Sequence, residues 1–198
     1  MDKYVVTLSR QFASMGRTIA QYMSKELGIE FYDRDIVENA AKRMDLSVAD
    51  IDKKEEKPGS VLGNIKYPLG LGLVSTTREI FEVESNIIRD LALSDESCII
   101  VGRCADFVLR DVPRCLNIYV YASEEQRIKN CVELLEMDEK DARRVLPEVD
   151  RKRVLYRVRY CEDVRTEFDG RHIMIDSGQF GPEKTAKILC GVVRSVFE

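Results

Sequence analysis

The start of this chain combines an apolar strand, a turn and a helix, and this combination restricts the fold more than any other feature. Residues 4–8 are predicted to form the strand, residues 9–18 the turn, and residues 19–27 carry the helical pattern, which Gly28 is predicted to end as a C-cap. The first backbone N–H groups of a helix have no partners within it, and the positive end of the helix dipole adds to their attraction for anions. The turn is therefore a predicted phosphate-binding site.

The turn partly matches a known phosphate-loop pattern. Gly16, Arg17 and Thr18 occupy the last three positions of G-x-x-x-x-G-K-[ST], with Arg17 in place of the usual Lys and Gln11 in place of the first Gly. An alternative interpretation makes Gly16 an ordinary turn glycine, Arg17 a solvated charge and Thr18 a residue of the first helical turn. The location on the first predicted strand, where a phosphate-binding nucleotide kinase would have it, keeps both interpretations open.

Composition indicates one globular domain. The 198 residues are 44% hydrophobic and 33% charged, which is enough apolar material for a single substantial core. The formal net charge of -4 disfavours nucleic acid or a polybasic membrane contact as partner, including through the Arg-rich helices. No apolar run reaches the length of a membrane span, and the first residues lack the layout of a signal peptide, so we expect a cytoplasmic protein.

Cysteine and histidine usage disfavours several kinds of site. The six cysteines are scattered and never form a C-x-x-C pair, so neither a zinc site nor a disulfide framework is indicated, and no metal-ligating residues are predicted. They are expected to be small buried hydrophobes in a reducing compartment. The single histidine, His172, adjoins the apolar run 173–175, where a structural role is more common than a catalytic one.

Strands alternate with helices along most of the chain. Five short strands separated by helices predict a three-layer α/β fold, and the unbroken apolar run at 98–101 is typical of a parallel sheet covered on both faces. Ligands of such folds bind beyond the carboxyl ends of the strands, where Gly16-Arg17 and Gly102-Arg103 both fall. The predicted strands are 4–8, 29–32, 98–101, 116–121 and 173–176.

Helix-capping residues and the positions of Pro and Gly predict the helices and one long loop. Pro and Gly residues interrupt the periodicity between 55 and 73, over a stretch too long for an ordinary connection. Pro147 predicts a break or bend in a long Arg-rich helix, whereas Pro182 predicts the first turn of the last helix. Further helices are predicted at 33–43, 46–53, after a capping box at Thr76 and Glu79, at 105–109, after Ser123 with Gln126, at 139–162 and from Pro182 onward.

Basic residues crowd the helical region before the fifth strand: Arg143, Arg144, Arg151, Lys152, Arg153, Arg157, Arg159 and Arg165. A solvated helix face is the ordinary interpretation of such a run. The spacing of Arg153 with Arg157, and of Arg144 with Arg151, nevertheless lets each pair project from one face. Phosphoryl transfer depends mainly on alignment and charge neutralisation, which planar and permanently charged guanidinium groups can supply.

Charged residues also follow the second and third predicted strands. Arg34 could hold an acceptor phosphate, while Asp33 or Asp106 could contact a base, a ribose, an acceptor oxygen or hydrated Mg²⁺. The alternatives are a helix cap for Asp33, a surface charge for Arg34 and a helix-start ion pair between Arg103 and Asp106. The position of Arg103, directly after an apolar strand and a glycine, favours a functional role for this residue.

Several segments together resemble the cytidylate-kinase-like proteins of bacteria, relatives of the nucleoside monophosphate kinases. The S-R-Q-F opening with its G-R ending, and the V-G-R-C-A-D stretch, are the specific parts of this resemblance. The matching segments lie in order over nearly the whole chain, at residues 7–17, 31–34, 100–106, 150–153 and 175–177.

The resemblance implies a P-loop kinase fold with a five-stranded parallel sheet, and ATP with Mg²⁺ bridging its phosphates as donor. The implied reaction converts CMP or dCMP to the diphosphate. Arg17, Arg153 and Arg157 are the implied catalytic residues, and Asp33, Arg34, Gly102, Arg103 and Asp106 the implied acceptor contacts. The implied donor contacts are Ser9, Gln11, Ala13, Ser14, Met15, Gly16, Arg17 and Thr18 of the loop, with Arg144 and Arg151 of an Arg-rich lid.

The same resemblance divides the single domain of residues 1–198 into a core and two mobile parts. The core comprises residues 1–32, 97–137 and 172–198, the acceptor-binding insert about 33–96, and the lid about 138–171. The expected partners are small-molecule nucleotides, and a homo-oligomer is compatible with the sequence.

Departures from the family pattern support competing functions. Ala13, Met15 and Arg17 replace residues that favour the usual phosphate loop. The third strand ends in Val101, so it has no acidic residue there to organise Mg²⁺. Asp106 or water would have to do so. These departures favour a catalytically weak or inactive nucleotide-binding protein as the alternative. A kinase for another small acceptor is the other alternative, since one P-loop scaffold serves many substrates.

Overall fold

The fold is a parallel sheet between two helical layers, as seen in a computed structural model that describes residues 3–33, 36, 38, 39, 42, 78–161, 166 and 168–197. The strands are β1 (Val5–Arg10), β2 (Glu30–Tyr32), β3 (Cys98–Val101), β4 (Cys115–Tyr121) and β5 (Ile173–Asp176). The helices are α1 (Gly16–Leu27), α2 (Arg78–Leu93), α3 (Ala105–Val108), α4 (Glu124–Leu135), α5 (Glu139–Tyr160) and α6 (Ser177–Phe197).

The sheet has the strand order β2-β3-β1-β4-β5, and every neighbouring pair is parallel. Val5 aligns with Cys98 on one side and with Cys115 on the other, so β1 lies at the centre. Parallel neighbours need crossover connections, which explains why helices separate the strands in the sequence. The predicted three-layer α/β fold with a five-stranded parallel sheet is confirmed.

Alternate residues of the central strands cover opposite faces of the sheet. Val6 and Leu8 belong to a core with Ile19 of α1 and Leu189 of α6, whereas Val5 packs with residues of α2 and α3. Because both faces of the sheet are buried, side chains on either face are apolar. The central strands therefore appear in the sequence as unbroken apolar runs. In β3 the four residues are all buried.

Local signals placed most element boundaries correctly. Gly28 ends α1 in the left-handed region at φ 68°, and Ser123 Oγ accepts a hydrogen bond from the Gln126 N–H at 3.2 Å at the start of α4. Gly181, at φ 72° and ψ 165°, interrupts α6, so regular helix resumes at Pro182 as predicted. β1 extends two residues beyond its predicted end, to Arg10.

Of the break or bend predicted at Pro147, the break is wrong, because α5 continues from Glu139 to Tyr160 as one helix, while the bend stays a prediction. Residues flanking the proline, Val145, Leu146 and Val149, are buried in a cluster with α4 and with Phe12. This packing compensates for the backbone hydrogen bond that proline cannot donate. The predicted helices at 33–43 and 46–53, the loop at 55–73 and the capping box at Thr76 lie wholly or mostly outside the described residues, and the division into core, insert and lid stays a prediction.

The cysteines and His172 have structural environments. All six cysteines are free thiols, and five of them are buried. His172 Nδ1 accepts the Asn117 N–H at 3.0 Å, while the His172 N–H donates to the Asn117 carbonyl at 2.8 Å, which ties the residue before β5 to β4. In the part of the chain that the structure describes, no helix has the length and apolar character needed to cross a bilayer.

Asn117 links three parts of the fold, and its replacement tests this packing. Its Oδ1 accepts from Thr7 Oγ1 at 2.8 Å, and its Nδ2 donates to the Gly170 carbonyl at 2.9 Å. We expect Asn117→Ala to lower the free energy of unfolding by about 2–4 kcal/mol, since it leaves the buried Thr7 hydroxyl without this partner and removes the hydrogen bond to Gly170. Urea denaturation of Asn117→Ala, Thr7→Val and the double variant measures the effect. Strict additivity of the two single changes would contradict a direct Thr7–Asn117 interaction.

Candidate active site

The turn between β1 and α1 has the backbone shape of an anion-binding loop. Ala13 and Met15 are both left-handed, at φ 58° and 61°, and they alternate with residues of negative φ. Such alternation directs successive N–H groups into one concavity. Met15 caps α1 without a side-chain hydrogen bond to the helix, so the N–H groups of the first turn, from Gly16 to Thr18, have no cap or helix partner.

Buried side chains hold this loop in a shape that glycines would adopt more easily. Ser14 Oγ donates to the carbonyl of Gln11, and Asn130 Nδ2 donates to the carbonyl of Ala13 at 2.8 Å. Ser177 Oγ donates to the carbonyl of Ser14, also at 2.8 Å. These contacts stabilise positive φ at two residues that carry a Cβ, which is unfavourable for the isolated chain.

Phe12 does not block the loop, because its side chain is buried in the cluster formed with α4 and α5. Its backbone is held from the other side by a charged pair. The Phe12 N–H donates to Asp150 Oδ1 at 2.7 Å, and Arg127 Nη1 both contacts Asp150 Oδ2 and donates to the Phe12 carbonyl. Residues from α4 and α5 thus fix both backbone polar groups of one residue in the loop.

Arg10 lies under the loop and extends to the ends of the neighbouring strands. A Cβ on Gly16 would lie 2.8 Å from Arg10 Cβ, and a Cβ on Gly102 would lie 2.0 Å from Arg10 Nη1. Two glycines from separate elements therefore make room for one arginine side chain. Gly102 is also left-handed, at φ 79°, a conformation that glycine adopts without strain.

Asp33 is a carboxylate in contact with Arg10 and Arg17. Its Oδ1 lies 3.4 Å from Arg10 Nη2, and its Oδ2 lies 3.4 Å from Arg17 Nε. Burial lowers the pKa of Arg10, and the nearby charges of Arg103 and Arg17 lower it further, while Asp33 opposes them. Asp33 thus joins the phosphate loop to the end of β2, as a charged group rather than only a helix cap.

Arg153 of α5 completes the cationic group beside the loop. Its Nη1 donates to the Arg10 carbonyl at 2.9 Å. Burial lowers the pKa of Arg153 to about 9, and the charge of Arg10 adds to the effect, while Asp150, Tyr119 and Asp33 oppose it. This guanidinium is therefore costly to keep charged in the absence of an added anion.

Arg103 is held by a buried acid of α2. Its Nη1 lies 3.1 Å from Glu84 Oε1, and Tyr156 Oη donates to Glu84 Oε2 at 3.2 Å. Burial raises the pKa of Glu84, and Arg103 and Tyr156 partly offset this rise. The proximity of Arg103 to Arg10 places it in the same cationic group, with its orientation set by Glu84.

Asp106 lies in a second, buried charge cluster. Its Oδ2 is 2.7 Å from Nη1 of both Arg157 and Arg171, and the Asp106 side chain is 1% exposed. Arg171 also donates to Ser9 Oγ at 2.9 Å, and Arg157 donates to the Asp169 carbonyl at 2.7 Å. A carboxylate enclosed in this way is a counter-ion, so the expectation that Asp106 substitutes as an organiser of Mg²⁺ does not agree with its surroundings.

Two of the predicted donor contacts lie on the exposed face of a helix. Arg144 and Arg151 are exposed on α5, and Arg144 Nη2 pairs with Asp141 Oδ1 at 2.6 Å. Their donor-binding role stays a prediction, as does the catalytic role of Arg157. Arg34 lies outside the described residues.

Several residues that build the site were not predicted from the sequence. Arg10 could have been found by the argument used for Arg103, since it also follows an apolar strand directly. Asp150 and Arg127 had no such signal, because they are separated in sequence from the loop they hold. The same is true of Glu84, Arg171 and Asn130.

The charged clamp on Phe12 leads to a testable prediction. We expect Asp150→Ala to lower the free energy of unfolding by about 2–4 kcal/mol, because Arg127 and the Phe12 N–H would lose a buried partner. Glu148→Ala, which removes a partner of Lys152 on the same helix, is the control and should change it by less than about 1 kcal/mol. Thermal and urea unfolding measure both variants; equal losses would contradict the clamp.

Arg153 is expected to bind an anion at a cost in stability. We expect Arg153→Met to raise the free energy of unfolding by about 1 kcal/mol, because a partly buried cation near Arg10 is removed, and to weaken binding of inorganic tripolyphosphate at least about tenfold. Arg143→Met, an exposed change on the same helix, should alter neither quantity. Denaturation and calorimetric titration with tripolyphosphate test this prediction. Loss of stability together with unchanged tripolyphosphate affinity would show a purely structural role.

Comparison with known proteins identifies a family. A sequence model of the cytidylate kinase-like family matches residues 5–179. A search of the curated proteins found no match. An uncharacterised protein from Eubacterium ventriosum has a similar structure, with a TM-score of 0.73, 22% identity, and coverage of 98% of this chain and 99% of that one.

Two kinases of small molecules also have similar structures. Shikimate kinase from Acinetobacter baumannii has a TM-score of 0.57 at 15% identity, with 98% of this chain and 95% of that chain covered. A gluconokinase from Sinorhizobium meliloti has a TM-score of 0.50 at 13% identity, with 99% and 98% covered. At these identities the similarity shows the fold, and all three matches extend over nearly the entire chain.

Proposed function

This chain belongs to the cytidylate kinase-like family, and on that premise we propose that it transfers a phosphoryl group from ATP to a nucleoside monophosphate, with CMP or dCMP as the acceptor. The observation that carries the proposal is the group of four arginines beside the loop: Arg10, Arg17, Arg103 and Arg153. Asp33 contacts two of them, and Glu84 contacts a third. Added negative charge, such as that of a polyphosphate, would stabilise this arrangement.

The proposed roles follow from position. The N–H groups at the start of α1, with the left-handed residues Ala13 and Met15, would hold the donor phosphates. Asp33 and Arg103, at the ends of β2 and β3, would contact the acceptor. Arg17 and Arg153 would neutralise charge that moves between the two, a contribution for which guanidinium is well suited because it stays charged.

Mg²⁺ fits this site as an ion held mainly by the donor. Among the described residues no three His, Cys, Asp or Glu side chains are grouped closely enough to bind a metal ion. Mg²⁺ commonly uses one or two carboxylates together with substrate phosphates and water, and Asp33 is a carboxylate in contact with Arg17 of the loop. When bound, the ion would neutralise donor phosphate charge, and Asp33 would then exchange some of its contact with Arg17 for the ion.

A nucleotide-binding protein that transfers nothing is the second candidate. Two observations favour it: Arg103 is paired with Glu84, and Arg157 is paired with Asp106, both in buried positions. Arginines fixed in this way can orient a ligand without following a moving charge. A kinase for another small acceptor is a third candidate, supported by the fold shared with shikimate kinase and gluconokinase.

A coupled assay with ATP, Mg²⁺ and a panel of acceptors separates these candidates. We expect ADP formation with CMP or dCMP, a fall in kcat of about a hundredfold in Arg17→Ala, and a raised KM for the acceptor in Arg103→Ala. Arg89→Ala, an exposed change on α2, is the control and should retain full activity.

Each alternative has its own outcome in the same assay. ATP binding without turnover on any acceptor supports the non-transferring protein. Turnover restricted to hydroxyl acceptors that are not nucleotides, with shikimate and gluconate included in the panel, supports the third candidate. The cytoplasmic location and the nucleotide partners expected from the sequence belong to the same proposal.

A further inference from the structure

Arg10 contacts both sides of the candidate site. It is the last residue of β1, and its aliphatic part passes within 2.8 Å of the position that a Cβ on Gly16 would take, at the start of α1. Its guanidinium lies against Gly102 at the end of β3, and 3.4 Å from Asp33 after β2. One side chain therefore extends from beneath the donor loop to the proposed acceptor side.

The space that Arg10 occupies is made for it by the backbone. Placing a Cβ on Gly102 would bring it to 2.0 Å from Arg10 Nη1, closer than any real contact. Gly28 and Gly181 have similar φ angles of 68° and 72°, yet no atom lies within 4 Å of a Cβ built on either. Gly102 thus combines the left-handed conformation with close approach to a guanidinium.

The charge on Arg10 is incompletely balanced. Its contact with Asp33 is 3.4 Å long, whereas strong charge-assisted hydrogen bonds are about 2.7–2.9 Å. Asp33 is shared with Arg17, and the positive charges of Arg103 and Arg153 lie nearby. A phosphoryl group placed between the loop and Asp33 would therefore find a guanidinium whose present partner is weak and easily exchanged.

We propose that Arg10 binds the terminal phosphoryl group of ATP during transfer and is a catalytic residue of this site. The inference rests on the proposed function. In the reaction the bond between the terminal phosphorus and the ADP oxygen breaks as a bond forms to a phosphate oxygen of the acceptor. Arg10 gains no proton and forms no covalent bond. Its planar fork neutralises charge on the oxygens of the moving group.

The sharpest test displaces Arg10 without changing its identity. Gly102→Ala forces the guanidinium to move, whereas Gly28→Ala introduces a Cβ at a similar φ with open space around it. We expect Gly102→Ala to lower kcat by about a hundredfold and Gly28→Ala to leave kcat within about twofold. The double variant Arg10→Gln with Gly102→Ala should be no slower than Arg10→Gln alone, because both changes act on one group.

Binding measurements test the role of Arg10 even if this chain has no transfer activity. Calorimetric titrations with ATP and with ADP, without acceptor, give the ratio of the two affinities. We expect Arg10→Gln and Gly102→Ala to reduce this ratio at least about tenfold, since only ATP carries the terminal group, and Arg10→Lys to restore part of it. Circular dichroism and thermal unfolding confirm that each variant is folded.

The outcomes separate the two proposals. The transfer activity is overturned if the wild-type chain shows no turnover on any acceptor. If the ratio of ATP to ADP affinity still depends on Arg10 in that case, Arg10 is retained as the ligand of the terminal phosphoryl group. Turnover and an affinity ratio that are unchanged in folded Arg10→Gln overturn the role of Arg10 and leave the proposed function standing.

Discussion

The candidate site depends on a loop backbone that is held in shape by its neighbours. Two residues with a Cβ, Ala13 and Met15, adopt the left-handed conformation in a turn where related patterns use glycine. That conformation costs free energy, so surrounding contacts must stabilise it. Ser14, Asn130 and Ser177 supply hydrogen bonds to three carbonyls of the turn, and these contacts leave the N–H groups at the start of α1 available.

Charge around the loop is divided between two carboxylate centres with different functions. Asp106 is enclosed by Arg157 and Arg171 at short distances, and this cluster joins α3, α5 and the segment before β5 into one unit. Asp33 has longer contacts, with Arg10 and Arg17, and further arginines lie nearby. Asp106 thus has two short guanidinium contacts that enclose it within the fold, whereas Asp33 has two long contacts in a region to which Arg103 and Arg153 add further positive charge. An anionic ligand is therefore expected at Asp33 and not at Asp106.

Sequence patterns predicted the architecture well because its signals are local. The apolar run 98–101, the Ser123 cap and the Gly28 end of α1 each depend on a few adjacent residues, and the structure has them in place. The site was predicted only in outline. Asp150 contacts Phe12 across 138 residues of sequence, and Glu84 reaches Arg103 from another helix, so neither pairing is visible in any local pattern.

Pro147 illustrates the same limit for secondary structure. Its local preference is to end a helix, yet burial of Val145, Leu146 and Val149 against α4 and Phe12 keeps α5 continuous. Tertiary packing outweighs a local cost of about 3 kcal/mol when several apolar side chains are buried together.

The continuity of α5 also bears on how its arginines act. Asp150 fixes the middle of this helix to the Phe12 N–H, and Arg153, one turn later, donates to the Arg10 carbonyl. A helix attached to the loop at two successive turns cannot carry Arg153 toward a ligand by swinging as a separate body without breaking both contacts. Under the proposed function, Arg153 is therefore a preorganised group of the site, and the cost of holding this partly buried cation beside Arg10 is met during folding.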